Sequence, residues 1–179
     1  FYINNNSLSG IFPREVSDLP KLTDTNYEGN LFTGPGFTIS ATERDALIAL
    51  YNSTDGENWK DNTGWLGAPG TECTWFGVTC RSSKVTQLSL WQNKLTGTIP
   101  SELGNLTSLT FLDLSRNSLT GSIPSELGDL KSLTILDLGL NSLSGTIPTK
   151  FGNLSNLTYL SLSYNSLSGA IPSVVTDLP

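Results

Sequence analysis

A repeat of 24 residues constrains this chain more than any other feature of its sequence. Asparagine recurs at this spacing in two stretches, at Asn6 and Asn30 and then at Asn93, Asn117, Asn141 and Asn165. From residue 109 to residue 124 one unit runs L-x-x-L-x-L-x-x-N-x-L-x-G-x-I-P, and the next unit repeats this pattern. Units of this kind bury their leucines only against neighbouring units, so the repeat predicts a solenoid of at least three stacked units.

Each unit predicts one short strand of a parallel sheet. The alternation of Leu112 and Leu114 places both side chains on one face of the strand, and stacking puts neighbouring strands about 4.8 Å apart. We expect such strands near residues 86–91, 110–115, 134–139, 158–163 and 24–27. The strand near 24–27 is degenerate, because Thr25 and Tyr27 stand where the other units have leucine. The repeated asparagines can satisfy backbone groups of the turns, and we expect them to form a structural ladder.

The stretch between the two sets of repeats has a different character and predicts a helix. Gly34, Pro35 and Gly36 interrupt the first set of repeats. Ser40 followed by Glu43 forms a capping box, and apolar residues then recur on one helical face. We therefore expect a helix at about 41–52.

Three tryptophans and both cysteines of the chain follow this helix. Cys73 and Cys80 lie close together, and an even count at short spacing suits a disulfide in an oxidising compartment. Zinc is the weaker reading, because the chain has no histidine and only two thiols. We expect Trp59, Trp65 and Trp75 to be core residues rather than platforms for sugars.

The repeat and the cysteine segment together resemble a known family. The L-x-G-x-I-P half of each unit, over residues 85–179 and again over 1–34, resembles the plant-type leucine-rich repeat. The run C-x-W-x-G-V-x-C from Cys73 to Cys80 resembles the N-terminal cap of those proteins. The wording "ALYNSTDGENW" before it is closer to secreted members from algae, protists or bacteria.

This resemblance implies an α/β leucine-rich-repeat solenoid. We expect a right-handed coil with a parallel β-sheet on its concave face, and a helical, disulfide-stapled cap between two repeat arrays. The implied organisation is residues 1–37 as the terminal repeats of one array, residues 38–84 as the N-terminal cap, and residues 85–179 as repeats of a second array.

Composition excludes several function classes. A net charge of −6 with only 10 scattered basic residues argues against nucleic-acid binding. No apolar run approaches the roughly 20 residues of a membrane span. The absence of histidine removes Ser-His-Asp and Cys-His catalytic schemes, so we expect no enzyme, no cofactor and no metal site. Asp113 and Asp137 occupy equivalent outward positions, and we interpret them as a solvated pair in preference to a weak cation site or a catalytic pair.

The pattern also selects surface candidates. Residues proposed to face the concave side are Trp91, Phe111, Asp113, Arg116, Asp137, Tyr159 and Tyr164. The aromatic residues among them form either a contact strip or isolated exposed rings. Candidate glycosylation sites are the sequons at Asn5, Asn52, Asn105, Asn153 and Asn156.

Two function classes follow for an extracellular protein, secreted or held at the cell surface. The first is a non-catalytic structural or adhesion protein built from tandem arrays. Because open sheet ends expose unpaired backbone groups, its copies could stack head-to-tail into a fibre. The second is a receptor ectodomain, or a module similar to the polygalacturonase-inhibiting proteins, which binds a protein or glycan on the concave face.

Overall fold

The computed structural model describes residues 38–173 and the backbone of two short strands before them. Its single α-helix in the described residues is α1 (Ala41–Ser53). The strands are β1 (Ser9–Ile11), β2 (Leu31–Thr33), β3 (Val78–Arg81), β4 (Lys84–Ser89), β5 (Thr96–Thr98), β6 (Phe111–Asp113), β7 (Ser118–Thr120), β8 (Ile135–Asp137), β9 (Ser144–Gly145), β10 (Tyr159–Ser161) and β11 (Ser166–Leu167). Short 3-10 helices lie at Gly56–Asn58, Glu72–Thr74, Ser101–Asn105, Ser125–Asp129 and Thr149–Asn153.

The main sheet contains one strand from each repeat, as the sequence predicts. Its order is β10-β8-β6-β4-β3, and all neighbours from β4 to β10 are parallel. Leu112 on β6 pairs with Leu136 on β8, and both side chains are fully buried. The sheet therefore stacks the repeats in exact 24-residue register, with one leucine layer above the next.

The predicted strands are confirmed at all four places in the described array, but β6, β8 and β10 are shorter than predicted. Each ends before a turn residue with positive φ, which is Gln92, Arg116, Leu140 or Tyr164. β4 begins two residues earlier than predicted, because Lys84 and Val85 pair with β3 in an antiparallel hairpin. β3 was not predicted, and it covers the edge of the parallel sheet that would otherwise be open. The strand predicted near 24–27 lies outside the described residues.

A second row of short parallel strands follows the asparagine of each unit. β5 pairs with β7, β9 with β11, and a single bridge joins Ser122 to Ser144. β1 and β2 pair in the same parallel manner. The glycine of the L-x-G motif has φ of +79° at Gly97 and +78° at Gly145, a conformation that L side chains rarely adopt. The motif's glycine is thus required by the backbone of the turn.

The predicted helix is confirmed as α1, and its start has the expected cap. The Ser40 side chain accepts from the Glu43 backbone N–H, while the Glu43 carboxylate accepts from the Ser40 N–H. The buried apolar face of the helix consists of Ala46, Leu47, Leu50 and Tyr51. This face packs towards the first repeat, where α1 contacts the 3-10 helix Ser101–Asn105.

Three tryptophans of residues 38–84, which we call the cap segment, form one buried cluster. Trp59 and Trp65 meet edge to face with ring centroids 4.8 Å apart, and Trp65 lies 5.1 Å from Trp75. The indole N–H groups of Trp59 and Trp65 donate to the carbonyls of Thr54 and Phe76. Because their polar atoms are satisfied inside the fold, these rings are core residues and present no platform to a ligand.

The two edges of the main sheet differ. α1, the tryptophan cluster and β3 cover the repeat that contains β4, whereas the leucines of the repeat that contains β10 are incompletely covered. Leu160 and Leu162 are half-buried, while Leu136 and Leu138 are fully buried at the same positions one repeat earlier. The described residues include no helix with the length and apolar character needed to cross a bilayer.

Candidate functional site

The outward face of the parallel sheet presents side chains in straight rows, because equivalent residues pair directly between strands. Phe111, Ile135 and Tyr159 are in register on β6, β8 and β10, and we call them the apolar row. Phe111 and Ile135 are half-buried, and Tyr159 is 50% exposed. The structure therefore brings two of the predicted concave-face candidates into one continuous apolar surface.

A pair of carboxylates lies beside the apolar row, two residues further along β6 and β8. Asp113 and Asp137 are in register, as expected. Asp113 Oδ1 accepts from the backbone N–H of Ser115 at 2.9 Å and from its hydroxyl at 2.6 Å. Asp137 Oδ1 accepts from the backbone N–H of Gly139 at 2.9 Å. One oxygen of each carboxylate thus holds the turn after its strand, which fixes the direction of the side chain.

The other concave-face candidates flank this centre. Trp91 is 50% exposed just beyond β4. Arg116 and Tyr164 occupy the positive-φ position of their repeats, and Tyr164 is 79% exposed. Leu140 occupies the same position in the repeat between them and is also exposed. These four side chains extend the sheet surface toward the turns but do not belong to the apolar row.

Sequence reasoning missed Ile135 and Leu140 as surface residues. Aliphatic side chains are usually assigned to the core, and both lie within a leucine-rich unit. The signal that could have identified them is the period itself, because Ile135 aligns with Phe111 and Tyr159, and Leu140 aligns with Arg116 and Tyr164.

A ladder of asparagine side chains fixes the turns that follow these strands. Asn117 Oδ1 accepts from the backbone N–H groups of Asn93 and Leu95, at 2.9 and 3.0 Å. Its Nδ2 donates to three carbonyls of the two adjacent repeats, those of Leu90, Leu114 and Ser115. In the next repeats Asn141 and Asn165 donate to the corresponding carbonyls, and each accepts from one backbone N–H, that of Leu119 or Leu143. Asn6 and Asn30 lie outside the described residues.

Asn93 joins the ladder to the cap segment. Its side chain accepts from the Asp61 N–H at 2.8 Å and donates to the Asp61 carbonyl at 2.8 Å. The Asp61 carboxylate in turn accepts from the backbone N–H of Thr63. That backbone bond, and the side-chain hydrogen bond from Thr63 after it, hold the pKa of Asp61 below its ordinary value. The side chain of Asn93 therefore joins the cap segment to the first repeat.

Buried charges in the cap segment are paired and serve packing. Arg44 forms an ion pair with the buried Glu72, donates to the Gly67 carbonyl and lies 5.2 Å from the Trp75 ring centroid. Glu43 accepts from the Val85 N–H and from Lys84. Every buried side-chain nitrogen or oxygen in the described residues has a hydrogen-bond partner. The sequence pattern did not indicate these pairs.

The cysteines and sequons lie away from the sheet surface. Cys73 and Cys80 form a disulfide with a Cα–Cα distance of 5.5 Å, which ties β3 to the preceding loop. Asn52, Asn105 and Asn153 are exposed. Asn156 is exposed too, but its Nδ2 donates to the Lys131 carbonyl at 2.7 Å. Asn5 lies outside the described residues.

No arrangement for metal chemistry is present in residues 38–173. Groups of three or more His, Cys, Asp or Glu side chains suited to an ion are absent from this part of the chain. The Asp113–Asp137 pair lies on an open sheet with two carboxylates only. The surface is suited to contact with another molecule through side chains on a rigid backbone.

Comparisons with known proteins find the same repeat. The family model described as leucine rich repeat matches residues 83–143 and 131–179. Receptor protein kinase WSS1 of Oryza sativa subsp. japonica is 37% identical over 84 residues, which are 45% of this chain and 8% of the kinase.

Two solved structures show the same architecture. The crystal structure of PEPR1-AtPEP1 is 33% identical with a TM-score of 0.73, over 78% of this chain and 20% of that chain. The plant peptide hormone receptor RGFR1 in complex with RGF2 is 40% identical with a TM-score of 0.53, over 59% of this chain and 20% of that chain. This chain thus spans 8% of the kinase and 20% of each of these two solved chains.

Proposed function

Because the chain belongs to the leucine-rich repeat family, we propose that it is an extracellular recognition module that binds a peptide or protein on its concave sheet. The observation that carries the proposal is the in-register apolar row with Trp91 and Tyr164 beside it, on a sheet face that nothing in residues 38–173 covers. Exposed aromatic side chains on a soluble surface are typical of contact sites. Relatives with this architecture include the plant peptide hormone receptor RGFR1 in complex with RGF2.

The rigidity of the sheet supports recognition through side chains. Backbone groups of the inner strands are paired with neighbouring strands, and Thr110, Thr134 and Thr158 donate their hydroxyls to carbonyls of the previous repeat. Side chains on such a scaffold lose little conformational freedom on binding, because their backbone is already ordered. The disulfide fits an oxidising, extracellular compartment, and we assign no catalytic role to the module.

The test is selection of ligands from a displayed library of random ten-residue peptides. Clones that bind the wild-type protein are expected to lose at least about tenfold in affinity for the triple variant Trp91→Ala, Tyr159→Ala, Tyr164→Ala, because aromatic anchors dominate such interfaces. The matched control is Leu66→Ala with Phe76→Ala, which removes two exposed apolar side chains from the cap segment. If the selected clones bind the triple variant and the wild type with equal affinity, the concave face is excluded as the binding site.

A second function uses the partly exposed apolar residues at and after β10. Leu160 and Leu162 are half-buried and Ile171 is 64% exposed, so another unit of the same geometry would complete the core there. In this proposal residues 1–37 end one array, residues 38–84 cap the next, and copies or successive modules stack head-to-tail in a structural or adhesive fibre. Sedimentation and negative-stain imaging of concentrated protein test it, and a monodisperse monomer at high concentration contradicts it.

A further inference from the structure

The negative charge of two aspartates on the concave sheet indicates which class of ligand this surface binds. Asp113 and Asp137 stand on adjacent strands, about 5 Å apart by the spacing of a sheet. Among the described residues, Arg44 pairs with Glu72, Lys84 with Glu43 and Lys150 with Asp129, while Asp113 and Asp137 form no ion pair with a described lysine or arginine. Like charges opposite one another repel, and a cation placed between them relieves that repulsion.

The two carboxylates are held in place yet keep a free oxygen. Oδ1 of Asp113 and Oδ1 of Asp137 each accept a backbone N–H from the turn that follows the strand. Oδ2 of each has no hydrogen-bond partner among the described residues. The two Oδ2 atoms can therefore accept hydrogen bonds from a ligand without any rearrangement of the sheet.

The apolar row lies next to this pair and sets the rest of the ligand's chemistry. It crosses three strands, or about 10 Å, which three residues of an extended chain span at about 3.3 Å each. The acidic pair lies two residues along the strands, about 6.6 Å to one side. Successive side chains of an extended chain point to opposite sides. A peptide segment that crosses the strands between the apolar row and the acidic pair therefore directs one side chain to the apolar row and the next to the acidic pair.

We propose that the concave sheet binds an extended peptide segment in which a lysine or arginine, held between Asp113 and Asp137, alternates with apolar side chains on Phe111, Ile135 and Tyr159. This inference rests on the proposed function, because it names the ligand class of the same surface. The charge complementarity of the unpaired carboxylates selects a cationic peptide over a neutral or acidic one.

The test uses the displayed ten-residue library and three forms of the full chain. Asp113→Asn with Asp137→Asn removes both charges but keeps the Oδ1 acceptors, so the turns are preserved. Glu57→Gln with Glu102→Gln makes the same change in net charge at exposed positions away from the sheet. Peptides selected on the wild type are then synthesised with their basic residue and with glutamine in its place.

The expected result is that selected peptides carry Lys or Arg next to apolar residues. Replacing the basic residue by glutamine lowers affinity at least about tenfold for the wild type and for the Glu57/Glu102 variant, but has little effect for the Asp113/Asp137 variant. Urea denaturation of each variant reports whether it is folded.

Two outcomes separate the inference from the function that it rests on. The first outcome is that the selected peptides lose affinity for the Trp91/Tyr159/Tyr164 variant, but either carry no basic residue or bind the Asp113/Asp137 variant as tightly as the wild type. In that case the proposal of a cationic ligand is wrong and the concave binding site is retained. If no selected peptide depends on the aromatic residues either, both proposals are overturned. If the Glu57/Glu102 variant lowers the affinity for the selected peptides as much as the Asp113/Asp137 variant does, the effect comes from net charge. That result also overturns the cationic site.

Discussion

At the scale of single residues, the asparagine ladder is the polar network that joins successive repeats. Asn117→Leu removes the acceptor of the Asn93 and Leu95 N–H groups and the donor to three carbonyls. Because half-buried backbone groups would lose their partners, we expect the free energy of unfolding to fall by at least about 2 kcal/mol, measured by urea denaturation.

Asn156→Ala is the matched control for this change. Asn156 makes one exposed hydrogen bond, to the Lys131 carbonyl, so its loss should change stability by less than about 0.5 kcal/mol. Similar losses for the two variants would mean that the ladder contributes no more than an ordinary surface amide.

Two glycines separate backbone strain from a steric clash. Gly97 and Gly145 share nearly the same positive φ, but a Cβ at Gly97 would lie 2.2 Å from the Ser53 carbonyl oxygen at the end of α1. A Cβ at Gly145 would lie 3.5 Å from Ser122 Cβ, an ordinary contact. Gly145→Ala should therefore cost about 1–2 kcal/mol from strain, and Gly97→Ala clearly more.

Thermal denaturation of the two glycine variants measures this difference. Because φ is matched, the excess for Gly97→Ala reports how firmly α1 is held against the first repeat. Equal losses would show that the helix end moves away at little cost.

At the scale of elements, the disulfide joins β3 to the loop that carries the tryptophans. Cys73 and Cys80 are separated by seven residues, and closing a loop of that size should contribute roughly 2–3 kcal/mol by chain entropy. Cys73→Ser with Cys80→Ser is expected to lower the free energy of unfolding by that amount, measured by urea denaturation. Reduction of the wild type with dithiothreitol should cause the same loss and leave the variant unchanged, and a reduced wild type of full stability would contradict this.

At the scale of the whole molecule, the strands of the main sheet should differ in stability, and β10 should be the least stable of them in the chain of residues 1–179. β4 is covered by β3, whereas the last repeat keeps Leu160 and Leu162 half-buried. Since each repeat is stabilised by its neighbours, backbone amides of β10 should exchange with deuterium faster than those of β6, while β4 exchanges as slowly as β6. Hydrogen-exchange mass spectrometry measures this gradient, and uniform protection from β4 to β10 would indicate that the array opens as one unit.

The sequence by itself determined what the repeat enforces locally. The 24-residue period, the alternation of Leu112 and Leu114 and the capping box at Ser40 placed the four strands and α1, because each depends on residues close together in one unit. The same period determined that equivalent residues would stack, and it was sufficient to select Phe111, Tyr159 and the aspartate pair as outward-facing.

Only the tertiary structure decided what joins the cap segment to the array and what completes the surface. The antiparallel strand β3, the Arg44–Glu72 pair and the contact of α1 with Gly97 link residues far apart in sequence, and no local pattern specifies which of many partners they meet. The period aligns Ile135 with Phe111 and Tyr159, but only the observed strand pairing shows that the three side chains lie side by side on the outward face. Register depends on hydrogen bonds between strands, and these form only when the repeats are stacked.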